Sequence, residues 1–234
     1  MAIRLVVFDV AGTTVRDGGG AVQRAMHDAI AVAGLELRDG AMTGVTGLAK
    51  PLAIRTLLEG RGRDELVART GEIHADFVAR MRRYYREDDR VGPVDGTAET
   101  FGALRTAGVR VALNTGFSRA VLDEILTRLR WAGPDAPIDA TVASDEVARG
   151  RPYPDMIDAL RTRLGGIAYT EVAKVGDTPI DLQEGTMARC GLVVGVLSGA
   201  YDESSLSQHP SDALITSVAE LPELLRQKGL MPTA

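Results

Sequence analysis

Six short apolar runs recur along the chain, each closed by a turn signal: Ile3–Asp9, Val109–Asn114, Ile138–Val142, Val172–Gly176, Gly191–Leu197 and Ala213–Ile215. Stretches of helical period separate the later runs, at Ala98–Ala107, Arg119–Leu129, Pro154–Leu164, Ile180–Ala188 and Val218–Lys228. Runs rich in Val and Ile that alternate with helices predict strands buried on both faces. This is the pattern of an α/β chain with a doubly wound parallel sheet. In such sheets ligands bind beyond the carboxyl ends of the strands. Asp9, the Asn114-Thr115-Gly116 step and the Gly176-Asp177 step all fall at those ends.

Residues 17–92 break the alternation. Ala21–Ala33, Ala49–Glu59 and Asp64–Arg86 have helical period with no strand between them, and glycine-rich punctuation at Asp17–Gly20 and Gly92-Pro93 marks both edges. The expectation is a core of residues 1–16 and 93–234, with a helical cap, 17–92, inserted after the first strand and able to act as a lid.

Composition narrows the field. The 234 residues are 45% hydrophobic, with 27 basic and 32 acidic side chains and a net charge of −5, and no basic stripe marks a nucleic-acid partner. No apolar run approaches membrane-spanning length, the N-terminus lacks the signature of a signal peptide, and Cys190 is the only cysteine. These features predict a cytoplasmic protein with no membrane or nucleic-acid partner. Only three of the basic residues are lysine, Lys50, Lys174 and Lys228, so each one invites a question.

The candidate chemistry lies at the strand ends. Asp9 closes the run IRLVVF and precedes a turn of Gly12, Thr13 and Thr14. Taken alone it is either a reactive carboxylate or a turn aspartate. In VGDTPID, Asp177 and Asp181 stand four apart across a strand end and a helix start, where Asp181 could also serve as a cap. Together the three carboxylates would repel one another unless a hard cation lay among them, and Mg²⁺ suits oxygen ligands. Thr115 offers a hydroxyl for a phosphoryl or phosphonyl oxygen. Arg151, stiffened by Pro152 and Pro154, offers a guanidinium to neutralise a bound dianion.

FDVAGTT, LNTG, GRPYPDM and VGDTPIDLQEG, in this order, resemble the signatures of the haloacid dehalogenase superfamily. The resemblance implies a Rossmann-like core, an Asp9 nucleophile passing through an aspartyl-phosphate, and Mg²⁺ held by Asp9, Asp177 and the backbone carbonyl of Ala11, with Asp181 in support. Two further features are similar to the phosphonoacetaldehyde hydrolase (phosphonatase) branch. Ala11 stands where phosphatases of the superfamily carry a second aspartate, and Gly47-Leu48-Ala49-Lys50 opens a cap helix where that branch keeps a Schiff-base lysine. The likeness implies a small phosphonate or phosphate substrate contacted at Gly12, Thr13, Thr46, Gly116 and Phe117. It also implies pairing of two copies through the cap.

That branch answers why the second aspartate is missing. When the leaving atom is carbon, a Lys50 iminium accepts the electrons of the breaking C–P bond, and no alkoxide needs an acid. Ala53, Thr46 and Phe117 depart from the branch pattern, which has His, Met and Tyr at these places. Two other functions therefore remain open: a phosphomonoester phosphatase, and a binding homologue without turnover, in which Lys50 is an anion clamp.

Overall fold

The computed structural model describes residues 2–232 apart from Asp39 and Thr43. Six parallel strands form one sheet: β1 (Leu5–Phe8), β2 (Arg110–Thr115), β3 (Ala140–Ala143), β4 (Val172–Gly176), β5 (Leu192–Val196) and β6 (Ala213–Ile215). Their order is β3-β2-β1-β4-β5-β6, so the winding reverses between β1 and β4. Every residue of β1, β4 and β5 is buried, as expected of a sheet covered on both faces. The covering helices are α5 (Thr97–Thr106), α6 (Arg119–Leu129), α7 (Asp155–Arg163), α8 (Pro179–Met187), α9 (Glu203–Leu206) and α10 (Leu221–Gln227). The fold is the expected doubly wound, Rossmann-like α/β sheet.

Between β1 and α5 the described residues contain four helices and no named strand: α1 (Ala21–Val32), α2 (Lys50–Glu59), α3 (Asp64–Val67) and α4 (Thr70–Glu87). The single helix expected over Asp64–Arg86 is divided in two. The Thr70 hydroxyl donates to the Val67 carbonyl at 2.7 Å and closes α3 before α4 begins. The amphipathic α4 buries Ile73, Phe77, Met81 and Tyr85. Its opposite edge carries Arg82 and Arg86, whose Nη2 atoms lie 2.9 and 2.6 Å from Glu124 of α6. The segments that enter and leave this helical layer run side by side. Arg16 N donates to Gly92 O at 2.9 Å and Val94 N to Thr14 O at 2.9 Å.

Candidate active site at the carboxyl edge of the sheet

Three neighbouring strands, β2, β1 and β4, deliver Thr115, Asp9 and Asp177 to one edge, at the reversal of strand order. One cavity there is lined by Asp9, Ala11, Gly12, Thr46, Lys50, Thr115, Gly116, Phe117, Arg151 and Asp177. The chain thus gathers into one place residues drawn from β1, the α2 segment, β2, the loop before α7, and β4. Gly12 is needed as glycine on two counts: its φ is +90°, and a Cβ would lie 2.5 Å from Asp177 Oδ2. A Cβ at Gly116 would meet the Leu48 carbonyl at 2.6 Å, so the loop before α2 is pressed against the end of β2.

Asp9 is buried, and Arg151 Nη2 donates to its Oδ1 at 2.6 Å. Its other oxygen accepts no hydrogen bond from the described residues, which leaves it available to an electrophile. Burial raises the carboxyl pKa of Asp9 despite the adjacent guanidinium. Asp177 accepts from the Thr13 hydroxyl at 3.0 Å and from Ala200 N at 2.8 Å. Burial and then the charges of Asp9 and Asp181 push its pKa up to about 8. Thr13 is therefore turned onto Asp177, and it does not line the cavity that the sequence reading gave it.

Oxygens of Asp9, Asp177 and Asp181 lie within 4.8 Å of one another. The donor set fits a hard divalent cation, because a buried carboxylate that is hard to ionise is one that a cation would relieve. Ala11 adds a carbonyl oxygen that accepts no hydrogen bond from the described residues. Asp181 fits direct ligation less well. Its Oδ2 accepts from the Thr178 hydroxyl at 2.6 Å, and its Oδ1 pairs with Arg151 Nη1 at 2.9 Å and Lys174 Nζ at 2.8 Å. Burial opposes the ionisation of Asp181, but the charges of Arg151 and Lys174 outweigh it and hold its pKa below the ordinary value.

Arg151 is the hub of a buried network. Its Nη2 also donates to Asn114 O at 2.7 Å and Asn114 Oδ1 at 3.0 Å, while Nε lies 3.2 Å from Glu184 Oε2. Lys174 Nζ reaches Asn114 Oδ1 at 2.8 Å and Glu184 Oε2 at 3.3 Å, and Asn114 Nδ2 donates to both Glu184 oxygens. The guanidinium is thus committed to three protein carboxylates, which fixes its direction toward Asp9. Lys174, Asn114 and Glu184 have no role in the sequence reading. The available signals were a lone lysine in the apolar run VAKVG and a glutamate three places after Asp181 on one helix face.

Lys50 is of another kind. It is 6% exposed, its Nζ donates to one acceptor, Leu48 O at 3.2 Å, and lies 5.3 Å above the Phe117 ring. Among the described residues no carboxylate oxygen comes within 4.0 Å of it, whereas buried Lys174 has two such partners. Burial brings its pKa down to about 8, although the more distant Asp9 charge pulls the other way. Thr115 Oγ1 accepts from Phe117 N at 3.2 Å, which leaves the hydroxyl proton free to donate. The Thr46 hydroxyl is given to Met42 O at 3.1 Å.

A strand-end aspartate beside a second aspartate and a buried guanidinium, on this sheet order, defines a class of hydrolase. Residues 3–189 match the model of the haloacid dehalogenase-like hydrolases, and the chain belongs to that family. Its curated relatives include phosphonoacetaldehyde hydrolases. That of Bacillus cereus is 30% identical over 92% of this chain and 83% of its own length. That of Bacteroides fragilis is 28% identical over 97% and 90%. Among solved structures, a phosphonoacetaldehyde hydrolase-like protein from Oleispira antarctica superposes with a TM-score of 0.82 at 22% identity, covering 97% of this chain and 92% of the other. CbbY from Rhodobacter sphaeroides, in complex with phosphate, gives 0.76 at 20% identity over 94% and 96%. These structural likenesses bear on the fold alone.

Proposed function

We propose that this hydrolase cleaves the C–P bond of a small carbonyl phosphonate, using Asp9 as nucleophile and Lys50 as a Schiff-base amine, with residues 17–92 as a lid. The observation that carries this reading is the state of Lys50: buried, with no carboxylate oxygen within 4.0 Å among the described residues, and lining the same cavity as Asp9. An anion clamp has no need of a depressed pKa, whereas an amine that must attack a carbonyl does. The names of the relatives point to the same reaction.

In the proposed sequence, neutral Lys50 adds to the carbonyl carbon, and the adduct takes a proton from solvent and loses water, giving an iminium. The free Asp9 oxygen attacks phosphorus, the C–P bond breaks, and its electron pair moves into the iminium to give an enamine. Protonation at carbon and hydrolysis then return the carbonyl product and free Lys50. A second water attacks the aspartyl-phosphate, releasing inorganic phosphate and restoring Asp9. Arg151 holds the spent Asp9 oxygen and faces the developing charge, while Thr115 donates to a phosphonyl oxygen. Mg²⁺, held by Asp9, Asp177 and the Ala11 carbonyl, would supply charge neutralisation for the dianion. Ala11 is compatible with this chemistry because the departing carbon needs no proton donor at that place.

The test is chemical. Incubation with phosphonoacetaldehyde, Mg²⁺ and borohydride should leave a reduced adduct on Lys50, read by mass spectrometry, and Lys50→Arg should lose cleavage although it keeps the charge. Absence of an adduct, with brisk hydrolysis of phosphate esters instead, would give the site to a phosphatase.

A further inference from the structure

The catalytic cavity is small, about 50 Å³. A substrate with more than a short chain would extend out of it. A groove of about 410 Å³ adjoins it, and the two share Gln23, Met42, Thr46 and Ala200 as lining residues.

The groove's charge is one-sided. Arg24, His27 and Arg38 line it, and no described lining residue is acidic, in a chain whose net charge is −5. Ion pairing engages most arginines of this protein, but neither of these has a carboxylate within 4.0 Å among the described residues. Arg24 turns Nη1 and Nη2 to the carbonyls of Gly19 and Gly18, which are uncharged acceptors. The Arg38 guanidinium makes no hydrogen bond to any described residue. His27 Nε2 rests 3.3 Å from Leu37 O, with Glu36 at 3.9 Å and Asp28 at 4.0 Å from its ring nitrogens. Tyr201 supplies a further wall.

We propose that this groove is a subsite for a carboxylate at the far end of the substrate, so that the substrate class is a carbonyl phosphonate carrying a carboxylate beyond its carbonyl carbon. The phosphonyl end lies by Asp9, the carbonyl by Lys50, and the chain passes Thr46 and Gln23 to reach Arg38. Its C–P chemistry rests on the function proposed above; its charge preference does not.

The test uses the full chain with Mg²⁺ and unreactive straight-chain phosphonates of graded length, each ending in a carboxylate or in the matching carboxamide. At low salt, calorimetry should show at least one carboxylate binding tighter than its amide, by on the order of fivefold for a partly solvated ion pair. The preference should shrink in Arg38→Gln and reverse in Arg38→Glu, while methylphosphonate binds all three proteins alike. Equal affinities at every length, or a preference that survives both substitutions, would overturn the subsite. Turnover separates the two proposals. A binding preference without cleavage of any carbonyl phosphonate leaves the subsite standing and removes the Schiff base. Cleavage without a preference does the reverse.

Discussion

The Arg151 guanidinium sits 2.6 Å from Asp9 and engages one carboxylate oxygen, leaving the other without a donor among the described residues. Both side chains are almost wholly inaccessible, and the same guanidinium reaches Asp181 and Glu184. In the proposed role of nucleophile, a carboxylate tethered by one oxygen has a fixed direction of attack. Arg151→Met should strip Asp9 of its guanidinium and leave Asp181 and Glu184 to share Lys174 alone, destabilising the fold by about 3–5 kcal/mol. Arg151→Lys should fold better but lose turnover by a factor of a hundred or so, since an ammonium cannot span all three partners. Urea unfolding and phosphate release measure the two effects.

Removing the cation should be felt in the fold as well as in turnover. Asp177 is hard to ionise alone and easier beside a divalent ion, so Mg²⁺ should raise the melting temperature of the wild type. Asp177→Asn should abolish that rise and the activity together. A variant that still gains stability from Mg²⁺ would place the ion elsewhere.

Lys50 sets a pH dependence with a definite sign. Its pKa of about 8 lies below the ordinary lysine value of 10.5, so the folded chain binds fewer protons than the unfolded one between those limits. Stability held back by the buried ammonium is therefore fully missing below pH 8 and recovered as pH rises toward 10.5. Lys50→Met should melt higher than the wild type at pH 7, and its advantage should vanish near pH 10.5. Over the same range, borohydride trapping in the wild type should accelerate through pH 8 and then level off.

Ala11 lines the cavity without a group that can carry a proton. General acid–base help is typically worth about 10²–10⁴-fold, so wild-type hydrolysis of esters with poor leaving groups should be weak. Ala11→Asp should raise it. Efficient wild-type turnover of ordinary sugar phosphates would count against C–P chemistry.

The sheet and its reactive edge were legible in the sequence because apolar strands and strand-end aspartates both have local signatures. Asp9, Thr115 and Asp177 can be read from their own runs. What escaped was pairing across long separations. Nothing local says that Lys174 meets both Glu184 and Asn114, or that Asp181 is already engaged by two cations. The contact of the Thr13 hydroxyl with Asp177 is of the same kind, its partner lying 164 positions away. The break between α3 and α4 turned on one threonine hydroxyl, which a helical period does not register.

Lys50 begins α2, in the inserted helices, and Asp9 ends β1, in the sheet. On the proposed chemistry a single substrate is bonded, for a moment, to both. That moment is the transfer of phosphorus from carbon to Asp9, which requires the two parts to be closed on one another. Once the C–P bond has broken, the enamine remains bonded to Lys50 and the phosphoryl group to Asp9, so each half-product is held by a different part of the molecule and neither is lost when the parts separate.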